Sequence, residues 1–300
     1  MSSPTATPPL TARLEHVADV DAHEGPVYVP AERALYFTSL PRGRERRVAI
    51  RRLDLGSRRV TTLRDPANDA NGMTLGPDGR LLVCEQGSMA EPARITRVDR
   101  TTGEAETVVD GFEGRRLNSP NDVVTRSDGT IWFTDPSYGF LQGFRPPPET
   151  GDHVYRFDPA SGDLRAVADT LDKPNGLAFS PDESVLYVTD SGANQEEGSF
   201  YPERPHHIRA FDVTGPSLAT ERVFADVAPG FPDGIKCDSA GRVYASSASG
   251  VQVFDPNGER LGEIALPGAV NFTWGGPDRD LLLITTDTAV WAAALDLRGA

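Results

Sequence analysis

The chain has 300 residues, of which 38% are hydrophobic, and it carries 30 Lys and Arg against 44 Asp and Glu for a formal net charge of -14. That charge repels phosphates and excludes an ordinary nucleic-acid partner, and no apolar run reaches the length of a membrane span. The 29 glycines and 25 prolines suit many tight turns, no long helical period appears, and this length is common for a single all-β array.

Residues 1–12 open with a Ser, Thr and Pro-rich stretch that lacks the basic start and apolar centre of a secretory signal, so a disordered tail is expected. Arg13-Leu-Glu-His-Val-Ala18 then reads as a strand. Six near-repeats follow, opened by Glu24-Gly-Pro, Asn71-Gly-Met, Asn121-Asp-Val, Asn175-Gly-Leu, Asp233-Gly-Ile and Asn271-Phe-Thr. The offsets are 47, 50, 54, 58 and 38 residues, the period of one supersecondary unit copied around a closed array.

Within a unit the order is constant. In the second, Met73-Thr-Leu leads through Gly76-Pro-Asp-Gly79 to Arg80-Leu-Leu-Val-Cys84; in the third, Val123-Val-Thr leads through Ser127-Asp-Gly129 to Thr130-Ile-Trp-Phe-Thr134. Gly and Asp tolerate the left-handed backbone of tight turns, so each pair is a hairpin. Third strands come next at residues 48–54, 153–158, 208–212 and 251–255, and fourth strands at residues 59–63, 164–168 and 222–225. The last unit has residues 281–285 and 289–293 but too little chain for its own fourth strand. The expectation is an all-β, six-bladed β-propeller in one domain, residues 13–300, closed by the N-terminal strand, which covers an otherwise exposed edge. Cys84 and Cys237 fall on non-neighbouring blades and read as buried thiols of a reduced, cytoplasmic protein.

The innermost strand of every blade lines the central channel. Glu24, Asn71, Asn121, Asn175, Asp233 and Asn271 therefore form a ring of side-chain oxygens at one level. Two carboxylates and four amides, with no Cys or His, are hard donors that suit Ca²⁺ better than Zn²⁺. Taken singly, Asn-Gly and Asp-Gly are turn formers. Their joint phase, with the hairpin turn supplied elsewhere in the unit, favours ligation for the set.

The loops between second and third strands lie on the same face. Two are long: residues 136–152, with Tyr138, Phe140 and Phe144, and residues 191–207, with Phe200 and Tyr201. Glu85, Asp135 and Asp190 end second strands there and read as solvated strand ends, except Asp135, which stands beside Asn121. Arg115 and Arg116 read as solvated loop charges. Of the five histidines only His23, next to Glu24, approaches the rim. No Gly-x-Ser-x-Gly elbow is present, which disfavours serine-nucleophile chemistry.

The motifs Glu24-Gly-Pro-Val-Tyr, Asn118-Ser-Pro-Asn-Asp122, Trp132-Phe-Thr-Asp-Pro136, Lys173-Pro-Asn-Gly-Leu-Ala-Phe179 and Phe231-Pro-Asp-Gly-Ile235 resemble the signatures of the family that joins senescence marker protein 30 (regucalcin), gluconolactonases and diisopropyl fluorophosphatases. The resemblance runs from about Glu15 to Trp291. It implies a six-bladed propeller with a divalent ion, usually Ca²⁺, in the channel, held by Glu24, Asn121, Asn175 and Asp233. Zn²⁺, Mg²⁺ and Mn²⁺ are the other candidate ions. Asn71 and Asn271 then become neighbours that orient water or substrate, and with Asn118, Asp135 and Tyr138 they are the candidate substrate contacts. Ser119 stands where regucalcin-type members place an Arg, and the local context is similar to bacterial gluconolactonases.

The expected activity is metal-dependent hydrolysis of a small-molecule lactone or ester, with Asp233 as general base and the ion polarising the carbonyl. The alternatives are phosphotriester hydrolysis with Asp233 as nucleophile and a non-catalytic Ca²⁺-binding propeller. The oligomeric state is not legible in the sequence.

Overall fold

A computed structural model describes residues 12–196, 198–295 and Gly299; the expected tail lies outside these residues except for Ala12. Six four-stranded antiparallel sheets are arranged as blades. Blade one comprises Val27–Val29, Ala34–Thr38, Ile50–Asp54 and Val60–Arg64, and blade two Ala70–Leu75, Leu81–Glu85, Arg94–Val98 and Ala105–Val109. Blade three comprises Val123–Thr125, Ile131–Asp135, His153–Asp158 and Asp163–Ala168; blade four comprises Pro174–Phe179, Val185–Asp190, His207–Thr214 and Ser217–Asp226. Blade five comprises Ile235–Cys237, Val243–Ser247, Gly250–Phe254 and Arg260–Ala265.

Blade six is the composite expected from the short C-terminal unit. Its inner strands are Asn271–Gly275, Leu281–Thr285 and Ala289–Ala294, and its outermost strand is Arg13–Asp19, with Leu14 opposite Ala293 and His16 opposite Trp291. The ring is thus latched by backbone hydrogen bonds between the two ends of the described chain. Each innermost strand touches the next, and the sixth touches the first.

The core is divided among the gaps between blades. Between blades three and four, Trp132, Val154, Leu177, Leu186 and Val188 pack as one cluster; between six and one, Leu283 and Val290 meet Leu35, Phe37 and Leu53. Period-two alternation puts one face of each strand against each neighbour, so the second strands of blades one, two, three and five are buried along their whole length. Burial of each large side chain stabilises by roughly 1.5–3 kcal/mol. Both cysteines are buried and free. Three small elements were not legible beforehand: the 3-10 turn Pro30–Glu32, the hairpin Gly111–Phe112 with Arg115–Arg116, and the single helical turn Tyr138–Leu141 within the long blade-three loop. No helix among the described residues is long and apolar enough to cross a membrane.

Candidate functional site

The six opening residues stand at or just before the innermost strands, where neighbouring backbones crowd the axis. A Cβ at Gly72 would lie 2.4 Å from the Asn121 carbonyl oxygen, and one at Gly176 would lie 2.3 Å from that of Asp233. Only glycine permits this approach, and four of the six opening residues, all but Asn121 and Asn271, are followed by a glycine packed at the start of the next blade's inner strand. A second ring locks the first. Thr134 Oγ1 donates to the Asn175 carbonyl at 2.7 Å, Thr189 Oγ1 to that of Asp233 at 2.9 Å, and Thr38 Oγ1 is shared between those of Glu24 and Asn71 at 3.0 and 3.3 Å. Thr285 Oγ1 closes the circle onto the His23 carbonyl at 2.7 Å. These buried threonines are the last or next-to-last residues of their second strands, and those of blades one, three and four hold the carbonyl of the following blade's channel residue. The recurring Phe-Thr, Val-Thr and Ile-Thr pairs at strand ends are the sequence signal for them.

Inside the ring the charges are under-compensated. Glu24 is buried, and its Oε2 accepts from Asn271 Nδ2 at 2.7 Å. Burial first, and the Asp233 charge second, push the Glu24 carboxyl above the usual carboxylate range. Burial and then the Asp122 charge do the same to Asp233, against a hydrogen bond from Asn175. Asp122 is a third carboxylate, itself buried, that sequence reading did not single out. It occupies the position where four other units carry glycine, and Lys236 on blade five partly offsets it. Tyr138 is buried with its hydroxyl at 3.3 Å from the Ser191 carbonyl; burial first, then the charges of Asp233 and Asp190, keep that hydroxyl protonated. The Asn71 Oδ1 is buried without a hydrogen-bond partner.

Glu24, Asn175, Asp233, Asn271 and Tyr138 are thus joined by direct contacts or by mutual charge effects, and the backbone latches set Asn71 and Asn121 in the same ring. Asn118 and Asp135 form a separate brace. The Asp135 oxygens accept from the Asn118 and Ser119 backbone N–H at 2.9 and 2.8 Å, while Asn118 Nδ2 donates to the Asp135 and Gly151 carbonyls. Asp135 is fully buried, and burial holds its carboxyl up at about 7, opposed by those two N–H groups. Both residues hold the loop that presents Asn121. The reading of Glu85 and Asp190 as solvated strand ends is corrected: both are buried, Asp190 accepting from the Asp172 and Lys173 backbone N–H and Glu85 pairing with Arg64 and Arg94. An inward-facing strand end lets a carboxylate satisfy the donors of the loop entering the channel.

The donor set decides what the ring can hold. Among the described residues there is no metal-type group of three or more His, Cys, Asp and Glu, so a zinc site of that kind is not built. Carboxylate and amide oxygens, with buried Glu24 repelled by half-buried Asp233 and an unpartnered amide oxygen beside them, fit a hard divalent cation such as Ca²⁺. Above the ring, His23 Nδ1 meets Asp287 Oδ1 at 2.6 Å, and Arg46 Nε donates to Asp69 Oδ2 at 2.8 Å with its guanidinium 4.1 Å from the centre of the Phe144 ring. Asp287 also acts on Asp233, which sets this polar cluster at the channel mouth.

Relatives match this architecture along most of its length. The profile of the SMP-30/gluconolactonase/LRE-like region matches residues 22–288. A gluconolactonase of Zymomonas mobilis is 32% identical over 277 residues, covering 85% of this chain and 73% of the relative. The lactonohydrolase oryL of Aspergillus oryzae is 31% identical over 284 residues, covering 87% of this chain and 65% of its own length. Among solved structures, a gluconolactonase of Xanthomonas campestris superposes with a TM-score of 0.81 at 38% identity, covering 95% of this chain and 90% of that one. The propeller described here therefore belongs to the SMP-30/gluconolactonase/LRE-like family.

Proposed function

We propose that the chain is a hydrolase of lactones whose reaction centre is the channel ring, with Glu24, Asn121, Asn175 and Asp233 holding a Ca²⁺ ion. The observation that carries the reading is a pair of carboxylates at one end of the channel among amide oxygens, buried Glu24 and half-buried Asp233, both held above the usual carboxylate range, Glu24 by burial and the Asp233 charge and Asp233 by desolvation and the charges of Asp122 and Asp287. The names of the two relatives and of the solved structure, all lactone hydrolases, support the same reaction class. When bound, Ca²⁺ supplies a Lewis acid for the lactone carbonyl. Beside such an ion both carboxyls would be held in the ionised form.

The chain's own residues do the rest. Asp233, ionised and steadied by Asn175, takes a proton from the attacking water at its free carboxylate oxygen. Asn271 fixes the Glu24 rotamer through its 2.7 Å hydrogen bond, so Glu24 serves as a charge-balancing ligand. Tyr138, protonated and beside Asn175 and Asp233, would turn its hydroxyl from the Ser191 carbonyl to donate to the ring-opened product. The helical turn Tyr138–Leu141 and Phe144 wall off solvent on the blade-three side.

The test is hydrolysis of a lactone panel by protein stripped with chelator and then reloaded with Ca²⁺. Activity lost on stripping and restored on reloading is the expected result; a metal-independent rate or none at all refutes the reading. Single turnover in ¹⁸O-labelled water separates water attack from direct attack by Asp233, because only direct attack leaves label in the protein carboxylate.

A further inference from the structure

Beside the channel mouth, between the second-to-third-strand loops of blades one and two, lies a cavity of about 390 Å³. It falls within the roughly 300–1,000 Å³ range of small-molecule pockets. The Arg46–Asp69 pair is part of its lining, and Asp69 lies two residues before the ring residue Asn71. Arg46 is pinned on two sides, by Asp69 through Nε and by the Phe144 face. The backbone here is held in a costly conformation: φ is +48° at Arg46, +51° at Asn68 and +51° at Asp69, none of them glycine. Each such residue costs on the order of 1–3 kcal/mol and persists where its surroundings demand it.

The chemistry of the lining narrows the occupant. Every arginine in it already has a carboxylate: Arg46 on Asp69, Arg47 on Asp65 at 2.6 Å, and Arg64 and Arg94 both on Glu85 at 2.7 Å. Glu45 and Glu91 add two more carboxylates. A phosphate or carboxylate entering would have to break these pairs and would meet the Glu45, Asp69 and Glu91 carboxylates, so an anionic group is disfavoured. Aromatic residues are absent from the lining, which offers neither an acyl chain nor a flat base a face to lie on. What the cavity presents is planar guanidinium and carboxylate groups with the Asn68 amide and Ser88 hydroxyl, the complement of a neutral, many-hydroxyl ring.

We infer that this cavity is a second subsite for a neutral sugar unit attached to the lactone, so that the enzyme acts on lactones of disaccharide acids in preference to single-ring ones. The reaction that supplies such a substrate is oxidation of a disaccharide at its reducing end. The inference rests on the lactonase reading for its catalytic assay only.

The test compares kcat/KM for cellobiono-1,5-lactone and glucono-1,5-lactone in the wild type and in two variants that place a large side chain in the cavity lining, Glu45→Trp and Glu91→Trp, both at exposed positions. The expected ratio is at least tenfold in favour of the disaccharide lactone, carried mainly in KM, and falls towards one in both variants. Because both substrates meet the same protein, loss of folded enzyme does not move the ratio. A wild-type ratio near or below one, or a ratio that survives in every variant that folds, overturns the subsite. Calorimetry with cellobionate and gluconate supplies a second arm. If the wild type hydrolyses neither lactone, the lactonase reading falls, and the subsite then stands on at least tenfold tighter binding of cellobionate or falls with equal binding.

Discussion

Two concentric sets of polar residues repeat around the channel, and they are treated in opposite ways. The threonines at or next to the second-strand ends are buried and satisfied, each hydroxyl donating to a carbonyl at the start of the next blade. The opening residues one step inward are left short: Asn71 Oδ1 has no partner, and Glu24 and Asp233 confront one another's charge. A satisfied buried polar group stabilises the scaffold, whereas an unsatisfied one costs stability and is retained for what it binds. Each ring keeps one residue type in four of six blades, threonine outside and asparagine inside, but only the inner ring places carboxylates, Glu24 and Asp233, in the other two.

Substitutions in the two rings should therefore separate stability from activity. Asp233→Asn removes the proposed base and a repelling charge together. Lactone hydrolysis should fall by about 10²–10⁴-fold while the thermal midpoint of the ion-free protein rises, read by kcat and by calorimetry. Thr134→Val in the outer ring should do the reverse. It orphans the Asn175 carbonyl and the Asp122 N–H, now at 2.7 and 3.0 Å from the hydroxyl, and should cost about 1–3 kcal/mol in urea unfolding with activity per folded molecule largely kept. Equal loss of activity in both variants would dissolve the distinction between the rings.

Asn271→Ala, which frees Glu24, should weaken Ca²⁺ binding by about 10–100-fold in titration calorimetry, the usual effect of losing an orienting partner. The smallest effect is on pH dependence. Glu24 and Asp233 have native pKa values above their unfolded values, so the native state holds more protons than the unfolded one in the window between them. Stability of the chelated protein should then fall as pH rises from about 4, the ordinary carboxylate range, through the raised native values. Ca²⁺ should flatten that slope, and Asp233→Asn should flatten it without Ca²⁺. Thermal midpoints across pH, with and without Ca²⁺, check both.

The blades, their order and the closing strand were legible because they rest on local signals: alternating apolar residues, Asp-Gly turns, and a last unit one strand short. The ring was legible because its members share one phase of the repeat. Asp122 escaped notice because it sits in a slot that reads as a turn position, although the missing glycine there was a signal. The brace role of Asp135 and Asn118 depends on where a loop re-enters the channel, which strand patterns do not specify.

Local sequence by itself determined the secondary structure, the sixfold period and the oxygen character of the channel, since each depends on residues within a single unit. Only the tertiary structure decided the pairings across the closure, Asn271 to Glu24 over 247 residues and His23 to Asp287 over 264. The same closure decided which carboxylates face one another and how deeply they are buried. Charge repulsion and desolvation depend on distance and on the exclusion of water, and both arise only when the ring shuts.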